Sequence, residues 1–460
     1  MKCFIPLKLV SILPLFIHTL FLTANVFAIP APRQDSSTSS KYDIVSSNLC
    51  DANVKQYSGY IQVSPSTHMF FWFFEARHNP KTAPLTLWLT GGPGCSSLNG
   101  LFVEVGPCKT ENNGSSTITN PESWTEVSNV LFLDQPSGVG FSYSDDVYNV
   151  TSSEQASADM YKFLQLFFQR FPQYSKLDFH IFGESYGGRF ATSLGKYIID
   201  SNNKYENGKN EKTKINLKSV GLGNALINFL IQWKSLTDFM ANNSYVSINE
   251  TIINQMIDAW PACEKATTKC NQEKLANVCL RAVDVCAGSN TSYASYYSNT
   301  GLSQYDVRAP VESMTSVLSP DYVNYITKPD VLQEIGANSK IKYLVCSGRV
   351  GLNLYPELPL DFSSELEFLL ENGIGALIYH GDADWICLEM ALNLNWKCKS
   401  KFSSAPMKEW SVDGTSAGQV KCADNLSFVT IYNSGHEAPA DQSKAAFDMF
   451  TKWISNIKIE

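Results

Sequence analysis

The sequence predicts an α/β fold, a mixed and mostly parallel sheet flanked by helices, from three strand-to-loop transitions. In the first, Asp178 to Phe182 is a short apolar run with alternate polar residues. It enters Gly183-Glu184-Ser185-Tyr186-Gly187, and a helix-compatible segment, Arg189 to Ile199, leaves it. In the second, Gly375 to His380 reads as a buried strand that empties into Gly381-Asp382-Ala383-Asp384. In the third, Leu426 to Tyr432 is an apolar strand ending in Asn433-Ser434-Gly435-His436. Beyond it, Gln442 to Ile454 carries apolar residues at helical spacing. Open α/β sheets keep their chemistry at the carboxyl ends of strands, where all three loops fall.

Each transition has a chemical reading. Glycines at 183 and 187 allow a turn too tight for side chains, so the Ser185 hydroxyl can stand above the sheet as a nucleophile. Alone, Gly-x-Ser-x-Gly also occurs in ordinary turns. The two downstream transitions give it weight, because Ser, then Asp, then His is the chain order of the α/β-hydrolase fold. Asp382 and Asp384 both sit where the acid is needed. Past residue 28 the histidines are His68, His78, His180, His380 and His436. His180 and His380 lie within predicted strands, where histidine is more often a satisfied structural group. His436 alone follows a strand on a glycine hinge.

The N-terminus predicts the compartment. Lys2 and Lys8 flank the start of an apolar run, Leu9 to Leu22, and Val26-Phe27-Ala28 fits a small-residue cleavage rule. Residues 1–28 therefore read as a signal peptide. A membrane anchor is disfavoured because the run is short and contains Pro14. Residues 29–48 begin with the polar stretch Ile29 to Ser40 and read as a flexible leader or propeptide. Apolar residues at 44% supply a large core, and a net charge of −8 argues against a nucleic-acid partner. Asn113, Asn149, Asn242, Asn249, Asn290 and Asn425 stand in Asn-x-Ser/Thr triplets and are glycosylation candidates.

Of twelve cysteines, Cys3 leaves with the signal, so an odd number enters an oxidising compartment and one thiol is left over. Cys263, Cys270, Cys279 and Cys286 are symmetrically spaced. That spacing suits nested bridges, 263–286 outside 270–279, with two adjacent bridges as the alternative. A zinc cluster is a poorer fit, since six residues between cysteines is not the usual ligand knuckle.

These elements, with further blocks, resemble the serine carboxypeptidases, particularly secreted or vacuolar fungal members, over nearly the whole mature length. The blocks are Trp88-Leu89-Thr90-Gly91-Gly92-Pro93-Gly94-Cys95-Ser96-Ser97, then Gly100-Leu101-Phe102 and Glu104-Val105-Gly106-Pro107. Asp134-Gln135-Pro136, Gly140-Phe141-Ser142-Tyr143, Gly183 to Gly188, Gly221 to Asn224, Gly381 to Cys387 and Gly435-His436 complete them. The resemblance implies that Ser185 is acylated, His436 is general base and then acid, and Asp384 rather than Asp382 orients the imidazole. It assigns the oxyanion hole to the amides of Gly92 and Tyr186, the second of which is also expected from its place after the nucleophile.

The resemblance further implies that Trp88, Thr90, Gly91, Glu104 and Glu184 hold the free carboxylate of a substrate C-terminus. A glutamate there must keep its proton to donate, so peptide binding is expected to weaken as pH rises. Two departures stand out. Thr90 replaces an Asn common in the family and offers one hydroxyl donor; this form also resembles plant acyltransferases of the same fold, although those carry Asp before the nucleophile. Glu437 stands where many relatives have Met lining the leaving-residue pocket. It either favours a basic C-terminal residue or simply faces solvent. The resemblance pairs Cys50–Cys108, Cys95–Cys346 and Cys398–Cys422, leaving Cys387 as a free thiol near the site that mercurials would reach.

The expected organisation is an α/β-hydrolase core over residues 49–225 and 346–460, with an inserted cap subdomain over 226–345. The expected activity is that of a serine-type carboxypeptidase acting on peptide and protein C-termini, best in acid, with serine esterase or acyltransferase as the alternative. A cysteine protease is disfavoured, because Ser185 claims the one hinged histidine. A purely protective scaffold is disfavoured by the intact Ser, Asp and His. No metal or organic cofactor, nucleic acid or membrane anchor is implied. The protein is expected to be secreted, with the vacuole as alternative, and to be a monomer or homodimer.

Overall fold

The computed structural model describes residues 41–147, 149–206, 212–288, 291–311, 320–385 and 393–459. The chain enters through β1 (Tyr42–Val45), β2 (Gln56–Gln62) and β3 (Thr67–Phe74), antiparallel in succession. Then come β4 (Leu85–Leu89), a hairpin of β5 (Cys108–Glu111) and β6 (Ser116–Thr119), β7 (Asn129–Leu133), and β8 (Tyr143–Ser144) against β3. Helix α1 (Ser153–Arg170) leads to β9 (Phe179–Glu184), α2 (Gly187–Glu206) and β10 (Leu217–Gly223).

Between β10 and the next strand the chain inserts a run of helices. They are α3 (Phe229–Asn242), α4 (Glu250–Glu273), α5 (Ala276–Val283), α6 (Tyr293–Ser298), α7 (Pro320–Ile326), α8 (Pro329–Glu334), α9 (Gly348–Leu354) and α10 (Ser363–Glu371). Strand β11 (Gly375–Gly381) then returns beside β10, parallel to it. Helix α11 (Lys399–Ser404), strands β12 (Lys408–Val412), β13 (Thr415–Ala423) and β14 (Leu426–Ile431), and helices α12 (Ala438–Asp441) and α13 (Ser443–Ile454) close the chain.

These strands build one sheet in the order β1-β2-β3-β7-β4-β9-β10-β11-β14-β13-β12. Its central strands, β7, β4, β9, β10, β11 and β14, all run parallel, and both margins are antiparallel. A parallel centre must be covered on both faces, and the sequence is apolar enough to allow it. In β3, Met69, Phe71 and Phe73 enter one core, while Phe70, Trp72 and Phe74 enter the other. Helices α1, α2 and α10 cover the first face with Phe163, Phe167, Leu194, Ile198 and Leu369. Helix α13 covers the second, where Phe450 stacks on Trp124 with ring centroids 3.9 Å apart. Helix α1 starts cleanly because the Ser152 side chain accepts from the Gln155 amide.

Two segments lie near expected boundaries. Residues 42–45, assigned to the flexible leader, form edge strand β1, because alternate polar and apolar residues let the segment pair with β2 while Tyr42 and Ile44 pack on the core. Near the end of the expected cap, Tyr322, Tyr325, Ile326, Val331, Ile335 and Tyr343 share the second core with Phe102 and Trp72. Among the described residues no helix is long and apolar enough to cross a membrane.

Candidate active site

The site is assembled from the carboxyl ends of β4, β9, β11 and β14. Strand β9 ends at Glu184, and Ser185 turns at φ 59° before α2 begins at Gly187. That left-handed conformation is costly for a residue with a side chain, and the surroundings impose it. The Ser185 amide donates to Gly223 O at 2.9 Å, and its carbonyl accepts from the amides of Leu226 (3.0 Å) and Gly188 (3.1 Å). Only glycine fits at 187, since a Cβ there would lie 2.3 Å from Leu89 O.

Asp384 and His436 meet across the ends of β11 and β14. His436 Nδ1 lies 2.9 Å from Asp384 Oδ2, and the acid is completely buried. Because the carboxylate can only accept, Nδ1 carries the proton and Nε2 is left as the basic nitrogen. Asn224, just beyond β10, donates to the same Asp384 oxygen at 2.7 Å. Asp382 is turned away: it accepts from the Tyr245 hydroxyl at 2.6 Å and the Ser434 amide at 3.4 Å. Of the two candidate acids, therefore, Asp384 is the one that meets the histidine.

The loop after β4 lies against the elbow. A Cβ at Gly91 would stand 2.5 Å from the Tyr186 amide nitrogen and 2.8 Å from Ser185 Cβ, so only a glycine allows this approach. The Cys95 amide donates to Gly91 O at 3.0 Å, and Cys95 is bridged to Cys346. The Gly91 backbone and the Tyr186 amide thus lie side by side at the serine.

Beside them is a buried group of acids. Carboxylate oxygens of Glu104, Glu184 and Glu437 all lie within 4.8 Å of one another. Burial, and then the charge of Glu104, pushes the Glu184 carboxyl well above the ordinary range. Burial also raises Glu104, to about 7, opposed by its hydrogen bond with Glu184. Glu437 is likewise raised well above the ordinary range, by burial and then by Glu104. Among the described residues no other group donates to Glu104 or to Oε2 of Glu184 or Glu437, which a shared proton would remedy. Glu104, Glu184 and Glu437 are the described residues whose spacing could hold a cation, but their raised pKa values make them proton carriers in acid. Trp88 Nε1 donates to Thr90 Oγ1 at 3.0 Å, which leaves the threonine hydroxyl hydrogen for another acceptor.

Several expectations meet the structure here. Glu437 does not face solvent; it is 5% exposed, and Asn99 Nδ2 donates to its Oε1 at 2.8 Å. The expected bridges Cys50–Cys108, Cys95–Cys346, Cys263–Cys286 and Cys270–Cys279 are present, the last two nested. The expected Cys398–Cys422 bridge is not among the described disulfides. Asp424 beside Cys398 raises its thiol above the ordinary range, and Ser427 Oγ donates to Cys422 Sγ at 3.1 Å. Asn425, one of the glycosylation candidates, donates its side-chain amide to both Leu370 O and Ile374 O. Cys387 and Asn290 lie outside the described residues. The sequence alone assigns no role to Asn99 or Asn224; Asn224 closes one of the family blocks, whereas nothing marks Asn99.

The chain is similar to known proteins in sequence and in fold. A family model described as serine carboxypeptidase matches residues 48–456. Carboxypeptidase S1 of Penicillium janthinellum is 36% identical over 420 residues, covering 89% of this chain and 98% of that protein. Carboxypeptidase Y of Schizosaccharomyces pombe is 36% identical over 422 residues, covering 87% of this chain but only 41% of that longer protein. In structure the chain is similar to Kex1(Δ)p, a prohormone-processing carboxypeptidase of Saccharomyces cerevisiae. The TM-score is 0.74 at 23% identity, over 90% of this chain and 94% of that one, a likeness of fold.

Proposed function

Because the chain belongs to the serine carboxypeptidase family, we propose that it releases C-terminal amino acids through an acyl-enzyme on Ser185. His436 takes the Ser185 proton and returns it to the leaving amine, while Asp384 stabilises the imidazolium. The amides of Gly92 and Tyr186 receive the developing oxyanion. The observation that carries the exopeptidase reading is the buried acid group beside the nucleophile: an ionised glutamate there would repel a terminal carboxylate, whereas a protonated one donates to it. Glu184, helped by Trp88, Thr90, Gly91 and Glu104, is that donor. As pH rises through about 7, Glu104 gains a charge next to the bound carboxylate and binding weakens, so peptides are cleaved best in acid.

Glu437 lines the pocket for the leaving residue. Among the described residues its Oε2 and Asn99 Oδ1 are buried acceptors with no donor, which supports a preference for a leaving side chain that donates hydrogen bonds, above all Lys or Arg. Equal efficiency on blocked dipeptides ending in Lys and in Leu would retire that preference. The signal-like N-terminus supports secretion, with vacuolar delivery as the alternative.

The wild-type protein and Ser185→Ala should be compared on an N-blocked dipeptide and on an N-blocked amino-acid ester. Release of the terminal residue by wild type alone supports the carboxypeptidase. Turnover of the ester without the peptide would point instead to an esterase or acyltransferase.

A further inference from the structure

The loop that carries His436 contains four successive backbone amides, and each has a dedicated acceptor. Asn433 N donates to the Tyr245 hydroxyl at 3.3 Å, Ser434 N to Asp382 Oδ1 at 3.4 Å, and Gly435 N to Asp441 Oδ2 at 2.7 Å. His436 N donates to Tyr305 O at 2.8 Å. Tyr245 and Tyr305 belong to the insertion between β10 and β11. The two carboxylates come from elsewhere, but residues of the insertion hold them as well. The Tyr245 hydroxyl donates to Asp382 Oδ2 at 2.6 Å, and Arg308 Nη2 lies 3.3 Å from Asp441 Oδ2.

Arg308 is held in its turn. Its Nε and Nη2 donate to the two Asp306 oxygens at 2.8 and 2.6 Å, and its guanidinium lies 5.7 Å from the centroid of the Tyr245 ring. The same segment also grips the turn that carries Asp384. Val307 N donates to Ala383 O at 2.9 Å, and Trp385 N donates to Gln304 O at 3.2 Å. The Tyr305 ring meets the imidazole edge-on, with centroids 5.0 Å apart. The turns bearing the acid and the base are thus stitched to one short piece of the insertion, residues 303–308.

A loop with a glycine hinge has no stiffness of its own. Holding a base within a fraction of an ångström needs neighbours that fix its backbone. We propose that Tyr245, Arg308 and Asp441 are positioning residues that clamp the His436 loop against the insertion and so keep the Asp384–His436 pair aligned on Ser185. Tyr245 fixes the start of the loop and Asp382; Arg308 fixes Asp441, and through it Gly435. The clamp rests on the reading of His436 as the base for Ser185.

The test compares wild type, Arg308→Gln, Arg308→Lys and Tyr245→Phe. Three quantities are read: the second-order rate of Ser185 modification by diisopropyl fluorophosphate, kcat and KM on an N-blocked dipeptide, and the melting midpoint. The clamp predicts that Arg308→Gln and Tyr245→Phe each lower kcat and the modification rate about tenfold, with KM within about twofold. Arg308→Lys recovers most of the loss, and melting midpoints stay close to wild type. Rates within about twofold of wild type in both variants would overturn the clamp. So would losses that track a fall in melting midpoint and are not recovered by lysine. A wild-type protein inert to the reagent overturns the catalytic reading itself, and the clamp with it.

Discussion

At the scale of single residues, the two acids at the end of β11 are the sharpest contrast. They stand two positions apart, yet Asp384 meets His436 Nδ1 while Asp382 meets Tyr245. Asp384→Asn should lower kcat by about 10⁴-fold, because an amide facing Nδ1 favours the wrong tautomer. Asp382→Asn should cost about tenfold, by loosening the loop. Steady-state kinetics on one blocked dipeptide measures both, and equal losses would contradict the assignment. Glu104→Gln keeps a donor but cannot titrate. It should retain acid-range binding of a free carboxylate within about tenfold and flatten the rise of KM with pH. A Gln variant whose KM still climbed as in wild type would place the titrating group elsewhere.

At the scale of elements, the strand ends, the elbow and the nested bridges were legible in the sequence because each rests on a local rule. Glycine spacing, apolar runs and cysteine symmetry are properties of neighbouring residues. Burial of Glu437 was not legible, because it depends on Asn99, 338 positions away in the chain. The Cys398–Cys422 pairing came from the resemblance rather than from a local rule, and the two are not among the described disulfides. The loop after β4 yields a prediction at this scale. Gly91→Ala would force its methyl to within 2.5 Å of the Tyr186 nitrogen, pushing the two amides apart. Loss of one oxyanion donor is worth about 10² to 10³ in kcat, with KM little changed. A Gly91→Ala enzyme with wild-type kcat would show that this backbone does not serve the transition state.

At the scale of the whole molecule, the mostly parallel sheet flanked by helices was readable from the three strand-to-loop transitions, and the hydrolase order of Ser, Asp and His placed the site on it. The margins of the sheet were not readable, since β1 owes its place to pairing with β2. The buried acids also set the response of stability to pH. Glu104, Glu184 and Glu437 are all raised in the folded protein. Between the ordinary carboxylate range and about 7 or above, the folded state therefore binds more protons than the unfolded one, and stability falls as pH rises. Melting midpoints should decline from mildly acid to neutral pH, and Glu437→Gln should flatten the decline. An increase in midpoint over that interval would mean that these groups are ionised in the fold.

The central claim is that a protonated acid group selects a free C-terminus. The most direct test is the ratio of kcat/KM for an N-blocked dipeptide to that for its C-terminal amide, measured with the wild-type enzyme from about pH 4 to about pH 8. A ratio well above one in acid that collapses through about pH 7, the value to which Glu104 is raised, is the predicted result. A ratio that stays constant across that range would contradict it.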